Sequence, residues 1–269
     1  METPIISVRD LTVNYGGRSV LDGVNLEVER GEVMALLGAS GSGKSTMLRQ
    51  IIGLERPHSG TVRVQGIDIN RCSPEELRAV RRTMGVAFQE SALFNSLTVE
   101  ENVGLPLREL TTLAEPVIEI MVYLKLAAVD LGDSGKLLPQ ELSGGMKKRA
   151  AVARAIALDP EILVFDEPSA GLDPIVAAEL DELILFLKHA FQMTILVVTH
   201  EMASAFRIAD RVAMLYQGSL IEVGEKDAFR ASTDPRIRQF IDRVPNQIAA
   251  SAIVQQRLRE LAGMSEGEK

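Results

Sequence analysis

The sequence predicts an α/β protein built on a mainly parallel sheet. Strand and helix patterns alternate through much of the chain. Short β-rich apolar runs end in polar or charged residues, where functional groups of such sheets project. A glycine-rich loop joins one of these runs to a helix. In chain order, Ile5–Val13 and Val24–Val28 read as strands of an antiparallel add-on, joined by Thr61–Val64. Val33–Leu37 is a buried strand, followed by a Gly/Ser loop and a helix from about Lys44 to Gly53. Ser73-Pro74-Glu75-Glu76 starts a helix, with Ser as cap, Pro in the first turn and Glu three residues after the cap. Met84–Phe88 reads as a strand, and Thr98-Val99-Glu100-Glu101 repeats the capping logic. From there to about Asp159 the pattern is mostly helical, with loops near Pro106 and Gly132–Pro139, a helical lobe inserted between two core strands. Ile162–Phe165 and Ile195–Val198 are two further buried strands. After Gly224 the chain turns helical and more polar, with terminal helices at Arg236–Val244 and Gln247–Leu261 and a frayed tail at Gly263–Lys269.

The 269 residues, 46% of them hydrophobic, suffice for a large core. The net charge of −8 argues against a general nucleic-acid footprint. The single Cys72 excludes an internal disulfide and a multi-cysteine zinc site, and fits a reducing compartment. Met1-Glu2-Thr3-Pro4 lacks the order of a signal peptide. No apolar run approaches the roughly 20 residues that span a bilayer. The expectation is a soluble protein that something else must hold if it works at a membrane. No internal repeat and no second phosphate loop is found, so one nucleotide unit per chain is the simplest count.

Gly38-Ala39-Ser40-Gly41-Ser42-Gly43-Lys44-Ser45 is a phosphate loop in its proper context, apolar strand before and helix after. Its glycines let backbone N–H groups crowd around phosphates, Lys44 reaches the β- and γ-phosphates, Ser45 binds Mg²⁺ and Thr46 adds a phosphate contact. The bland alternative is a Gly/Ser turn. Asp166-Glu167, after a buried strand, resembles a Walker B segment followed by a catalytic glutamate. Asp166 then holds Mg²⁺ and Glu167 polarises the attacking water, since phosphoryl transfer is mostly positioning and charge neutralisation. Alone, the same pair reads equally well as a solvated turn. Far downstream, Ser143-Gly144-Gly145 opens another helix, whose free N–H groups and positive end suit phosphate. Two phosphate-seeking sites on one chain suggest nucleotide held between two chains. Lys147, Lys148 and Arg149 lie in the first turns of that helix, against its dipole. Either a partner chain's γ-phosphate offsets this cost or they form a solvated basic face. Asp173 caps a helix whose first residue is Pro174.

Leu142-Ser143-Gly144-Gly145, read with the phosphate loop, resembles the ATP-binding-cassette (ABC) ATPase family. The resemblance runs from Tyr15 to about Gly224 with every motif in order. It implies an ABC-type P-loop NTPase with a RecA-like core, an antiparallel β-subdomain and an inserted α-helical subdomain at about 90–159. Residues 1–244 form a single domain on this reading, and 245–269 a C-terminal helical extension. By the same resemblance Tyr15 stacks on adenine, and Gln89 is the Q-loop residue that touches Mg²⁺ or water and relays closure to a membrane partner. His200 contacts the γ-phosphate, and Ser169–Asp173 is the D-loop. His58 and His189 match no motif. The implied unit is a head-to-tail homodimer sandwiching two ATP molecules.

Met146 departs from the family's usual Gln. Leu-Ser-Gly-Gly-Met resembles the ATPases of Mla-type phospholipid-trafficking systems, as do Ser91-Ala92-Leu93-Phe94, Leu105-Pro106-Leu107-Arg108-Glu109 and Asp234–Phe240. That resemblance implies a transmembrane permease dimer, a small STAS-domain subunit and a lipid-binding MCE-type protein. It puts the ATPase peripherally on the cytoplasmic face of the inner membrane. Ser91–Leu110, apolar and loop-rich, suits a groove for a permease helix; packing within the helical lobe is the alternative. Two other functions stay open: an ABC importer ATPase for another solute such as an amino acid, and a soluble ABC ATPase of a non-transport assembly.

Overall fold

Ten strands form two sheets among the described residues. The structure, a computed structural model, describes residues 3–244 and residue 257. The chain divides into two compact units, Met1–Ala231 and Ser232–Lys269.

The first unit opens with β1 (Ile6–Tyr15), β2 (Arg18–Val28) and β3 (Val33–Leu37). Then come α1 (Lys44–Ile51), β4 (Ser59–Val64), β5 (Ile67–Asp68), α2 (Pro74–Arg82) and β6 (Met84–Ala87). Three lobe helices follow: α3 (Val99–Leu110), α4 (Glu115–Ala128) and α5 (Gly144–Ala155). The core resumes with β7 (Ile162–Asp166), α6 (Pro174–Phe191), β8 (Thr194–Thr199) and α7 (Met202–Ile208). It closes with β9 (Arg211–Tyr216), β10 (Ser219–Glu225) and α8 (Lys226–Arg230).

One sheet is antiparallel, in the order β2-β1-β4-β5; the other runs β10-β9-β3-β8-β7-β6. In the second, β3 pairs parallel with both β8 and β9, and β7 pairs parallel with β8 and β6. Both faces of this sheet are covered, which is why β3, β7 and β8 read as unbroken apolar runs. Side-chain alternation divides the interior. Leu163, Phe165, Ile195 and Val197 enter one core with the lobe helices and α6. Ile162, Val164, Leu196 and Val198 enter the other, with α1 and the antiparallel sheet.

The α/β core, the antiparallel sheet and the inserted helices follow the sequence expectation. One expected loop is corrected. Pro106 lies inside α3, which runs on to Leu110. The proline ring leaves the Asn102 carbonyl without its i+4 donor, yet Val99, Val103 and Leu107 remain buried on one face, so packing carries the helix through. Asn102 also ties down the segment before the helix: its Oδ1 accepts from Phe94 N at 2.8 Å and its Nδ2 donates to Leu97 O at 3.1 Å. The capping boxes at Ser73/Glu76 and Thr98/Glu101 are both formed. The β9–β10 hairpin went unread in the sequence. Its turn is Gln217-Gly218, both left-handed, as the favoured two-residue hairpin turn requires. No described helix is long and apolar enough to cross a membrane.

In the second unit, α9 (Pro235–Ile241) covers part of the expected helix at Arg236–Val244. Asp234 caps it, accepting from Arg236 N at 2.8 Å, and hydrogen bonding by Arg236 draws the Asp234 carboxyl down to about 2. Gln247–Leu261 and Gly263–Lys269 lie outside the described residues, Arg257 excepted.

Candidate nucleotide site

The carboxyl ends of β3, β6, β7 and β8 deliver the phosphate loop, Gln89, Asp166-Glu167 and His200 to the same end of the parallel sheet. Such an edge is where α/β sheets bind ligands. Gly41 and Gly43 are left-handed, with φ of 77° and 109°. A Cβ at Gly43 would lie 3.0 Å from the backbone oxygen of Val20, and with φ at 109° a side chain there would be strained. Lys44 opens α1 and is buried. Its Nζ donates to Gly38 O at 2.8 Å and Ala39 O at 3.2 Å. The loop is thereby wrapped around the ammonium, with Ser40, Gly41 and Ser45 exposed and Thr46 half-buried.

Lys44 Nζ also stands 3.7 Å from Glu167 Oε1. Burial pushes the ammonium below the usual lysine range, opposed by the charges of Glu167 and Asp166. Asp166, at the end of β7, is raised above its ordinary range by burial and by the neighbouring Glu167 charge. Its Oδ1 is buried without a hydrogen-bond partner. Glu167 has a left-handed backbone, φ 49°, and its N–H donates to Val198 O at 2.8 Å. Its Oε2 lies 2.8 Å from His200 Nδ1 and accepts from His200 N at 3.3 Å. A carboxylate only accepts, so Nδ1 carries the proton in this pair.

This donor set fits a phosphate-bound Mg²⁺. That ion usually keeps several waters and takes only one or two protein oxygens beside the phosphates. The orphaned Asp166 Oδ1 and the exposed Ser45 hydroxyl are oxygens of that kind. Among the described residues no cluster of three or more His, Cys, Asp or Glu could hold a metal by itself.

Tyr15, at the end of β1, is partly exposed, and its hydroxyl donates to Glu55. That hydrogen bond raises the phenol above its usual range. Gln89 is exposed in the turn after β6. Ser143 caps α5, its Oγ accepting from Met146 N at 3.2 Å. Ser143 and Gly144 are exposed, and no hydrogen bond among the described residues joins Ser143, Gly144 or Gly145 to the phosphate loop. Gly145 has a packing reason too: a Cβ there would fall 2.6 Å from Val176 Cγ1 of α6. Asp173 caps α6, accepting from Ile175 N and Val176 N.

The basic residues after the glycine pair are not all a solvated face. Lys148 Nζ donates to Gln89 O and Glu167 O. Arg149 donates to Val129 O and pairs with Glu179 at 3.0 Å. Farther along α5, Arg154 donates to Ser91 O at 2.9 Å and Ala92 O at 2.7 Å. Sequence reading missed Lys148 and Arg154 in these places, and missed Glu55 beside Tyr15. A signal existed for the first: three cations opposing a helix dipole call for carbonyl or anionic partners.

The ABC transporter family model matches residues 21–170. The "Probable ribonucleotide transport ATP-binding protein mkl" of Mycobacterium leprae is 42% identical over 237 residues, 88% of this chain and 68% of the relative. The "Intermembrane phospholipid transport system ATP-binding protein MlaF" of Escherichia coli (strain K12) is 42% identical over 240 residues, 89% of each chain. Among solved structures, a dimeric post-hydrolysis state of the ATP-binding cassette MJ0796 with ADP and Pi matches with a TM-score of 0.76. It is 31% identical and is covered to 98% by 82% of this chain.

Proposed function

We propose that this chain, which belongs to the ABC transporter family and is an ATPase, powers phospholipid trafficking between membranes. The observation that carries the reading is the 42% identity to MlaF, spread over 89% of both chains. The methionine after the second signature glycine agrees with it.

In this reading ATP lies between two copies of the chain, as two phosphate-seeking loops on one chain suggest. Lys44 exchanges the carbonyls of Gly38 and Ala39 for the β- and γ-phosphates, and backbone N–H groups of residues 38–46 cradle them. Tyr15 stacks on adenine. Ser45 and Asp166, with Gln89 nearby, hold Mg²⁺, which when bound neutralises phosphate charge. Glu167 orients the attacking water and accepts its proton. His200 holds the Glu167 carboxylate and faces the γ-phosphate. Ser143, Gly144 and Gly145 of the second copy complete the site. Residues 1–244 act as one ATPase domain and 245–269 as an extension.

The work passes to a transmembrane permease dimer, with a STAS-domain subunit and an MCE-type lipid-binding protein in the same assembly. The ATPase sits peripherally on the cytoplasmic face of the inner membrane. Exposed Leu113, Val117, Ile120, Tyr123 and Leu124 form an apolar surface from the α3–α4 connection along α4, suited to such a contact. The groove expected within Ser91–Leu110 is the weaker candidate, because Val99, Val103 and Leu107 are spent on the lobe's own core.

Isolating the intact complex from membranes and identifying what it carries tests the proposal. Co-purified phospholipid with a permease supports it. A complex that carries a ribonucleotide as cargo and no lipid moves the assignment to the function in the mkl name. A chain that leaves the membrane fraction without partners removes the transport reading.

A further inference from the structure

Two of the loops that meet at the nucleotide site are held by one side chain that neither belongs to. Lys148 projects from the second turn of α5 and is half-buried. Its Nζ lies 2.5 Å from the Gln89 carbonyl oxygen and 3.3 Å from that of Glu167. Glu167 itself has a left-handed backbone, φ 49°. Its carbonyl also accepts from Ala170 N at 3.3 Å. The Gln89 side has a second tether six residues along α5. Arg154 grips the carbonyls of Ser91 and Ala92, two consecutive left-handed residues. A left-handed non-glycine backbone costs free energy and persists only where its surroundings impose it. Charge-assisted hydrogen bonds to its carbonyls are such an imposition.

We infer that Lys148 is a positioning residue for hydrolysis: its ammonium ties the backbone of Glu167 to the backbone of Gln89, so that the aim of the Glu167 carboxylate depends on where the Gln89 turn lies. Lys148 touches neither substrate nor metal in this role. It makes α5 the strut through which movement of the Gln89 segment reaches the carboxylate. The inference rests on the reading of Glu167 as the water-orienting group.

The test compares full-length wild type with Lys148→Met, Lys148→Arg and Glu167→Gln, following ATP hydrolysis, nucleotide affinity and hydrogen exchange. For Lys148→Met, kcat is expected to fall on the order of ten- to a hundredfold, the cost of a slightly misplaced catalytic group. KM for ATP should stay within about twofold. Deuterium uptake should rise in peptides spanning 88–92 and 166–170 and stay unchanged in β1, a pattern that general destabilisation would not give. Lys148→Arg, which keeps charge and reach, should restore most of the rate. Wild-type kcat in Lys148→Met, or unchanged uptake at 166–170, overturns the inference. If Lys148→Met does not fold, Lys148→Gln is read by the same outcomes. Normal hydrolysis by Glu167→Gln would instead remove the reading of Glu167. An inactive Glu167→Gln beside an unaffected Lys148→Met removes only the role of Lys148.

Discussion

Glu167 Oε2 and His200 Nδ1 are 2.8 Å apart, joining the ends of neighbouring strands β7 and β8. The other carboxylate oxygen faces Lys44 at 3.7 Å. One carboxylate therefore answers to the phosphate loop and to the strand-end histidine before any substrate is considered.

Glu167→Gln keeps the shape and the hydrogen-bonding reach of the side chain and removes its basicity. ATP affinity is expected to be unchanged while kcat falls about 10²–10⁴-fold, the range of a lost general base. ATP should then hold the variant as a closed dimer, read by light scattering during size exclusion. Hydrolysis at the wild-type rate would sink the role of Glu167.

Lys44→Ala removes the ammonium that donates to the loop carbonyls of Gly38 and Ala39. Charge-assisted hydrogen bonds of this kind contribute about 1.5–3 kcal/mol, so nucleotide affinity should fall about 10–100-fold. Titration with a fluorescent ATP analogue reads it, and unchanged affinity would contradict the phosphate role.

Gly144 and Gly145 separate function from packing. At Gly145 an added Cβ would collide with Val176 of α6, so Gly145→Ala should cost about 1–3 kcal/mol of stability. At Gly144 the nearest atom would be Leu172 Cδ2 at an ordinary 3.6 Å, so Gly144→Ala should melt like wild type. Its hydrolysis should nonetheless drop about tenfold, because the new methyl group crowds a phosphate held by the second chain. Wild-type turnover with a normal melting temperature would show that this turn meets no nucleotide.

Asp181, on α6, is buried and accepts from Ser204 of α7. Burial raises its carboxyl, against the pull of the Ser204 hydrogen bond and the Arg207 charge. A raised carboxyl favours the folded state while protonated. That stability is fully present below the unfolded value of about 3.9 and is lost as pH rises through the folded one. Asp181→Asn should therefore melt at a higher temperature than wild type at neutral pH, read by thermal unfolding. The gain should shrink in melts below about pH 4, and a variant destabilised at neutral pH would refute this account.

The loop and the carboxylates that the structure gathers at one end of the sheet were readable because their parts are local. Glycines, Lys44 and Ser45 sit on adjacent positions, and the carboxylates follow a strand whose burial is written in four apolar residues. Capping boxes are local for the same reason. What escaped is what spans distance or depends on packing. Lys148 meets Gln89 from 59 positions away. Pro106 carries a breaking signal that the buried face of Val99, Val103 and Leu107 overrides. The β9–β10 hairpin turns on Gln217 in a left-handed conformation, where Asn or Asp is the stronger cue.

The alternating residues of β7 and β8 keep two hydrophobic interiors apart, one behind the phosphate loop and one beneath α4. Substitutions that remodel the second reach the first only through the rigid backbone between them or through the loops at the strand ends. A lineage could then re-sculpt its α4 surface for a new neighbour while the residues around the phosphate loop stay as inherited. In a laboratory the same separation would let the two halves be redesigned one at a time.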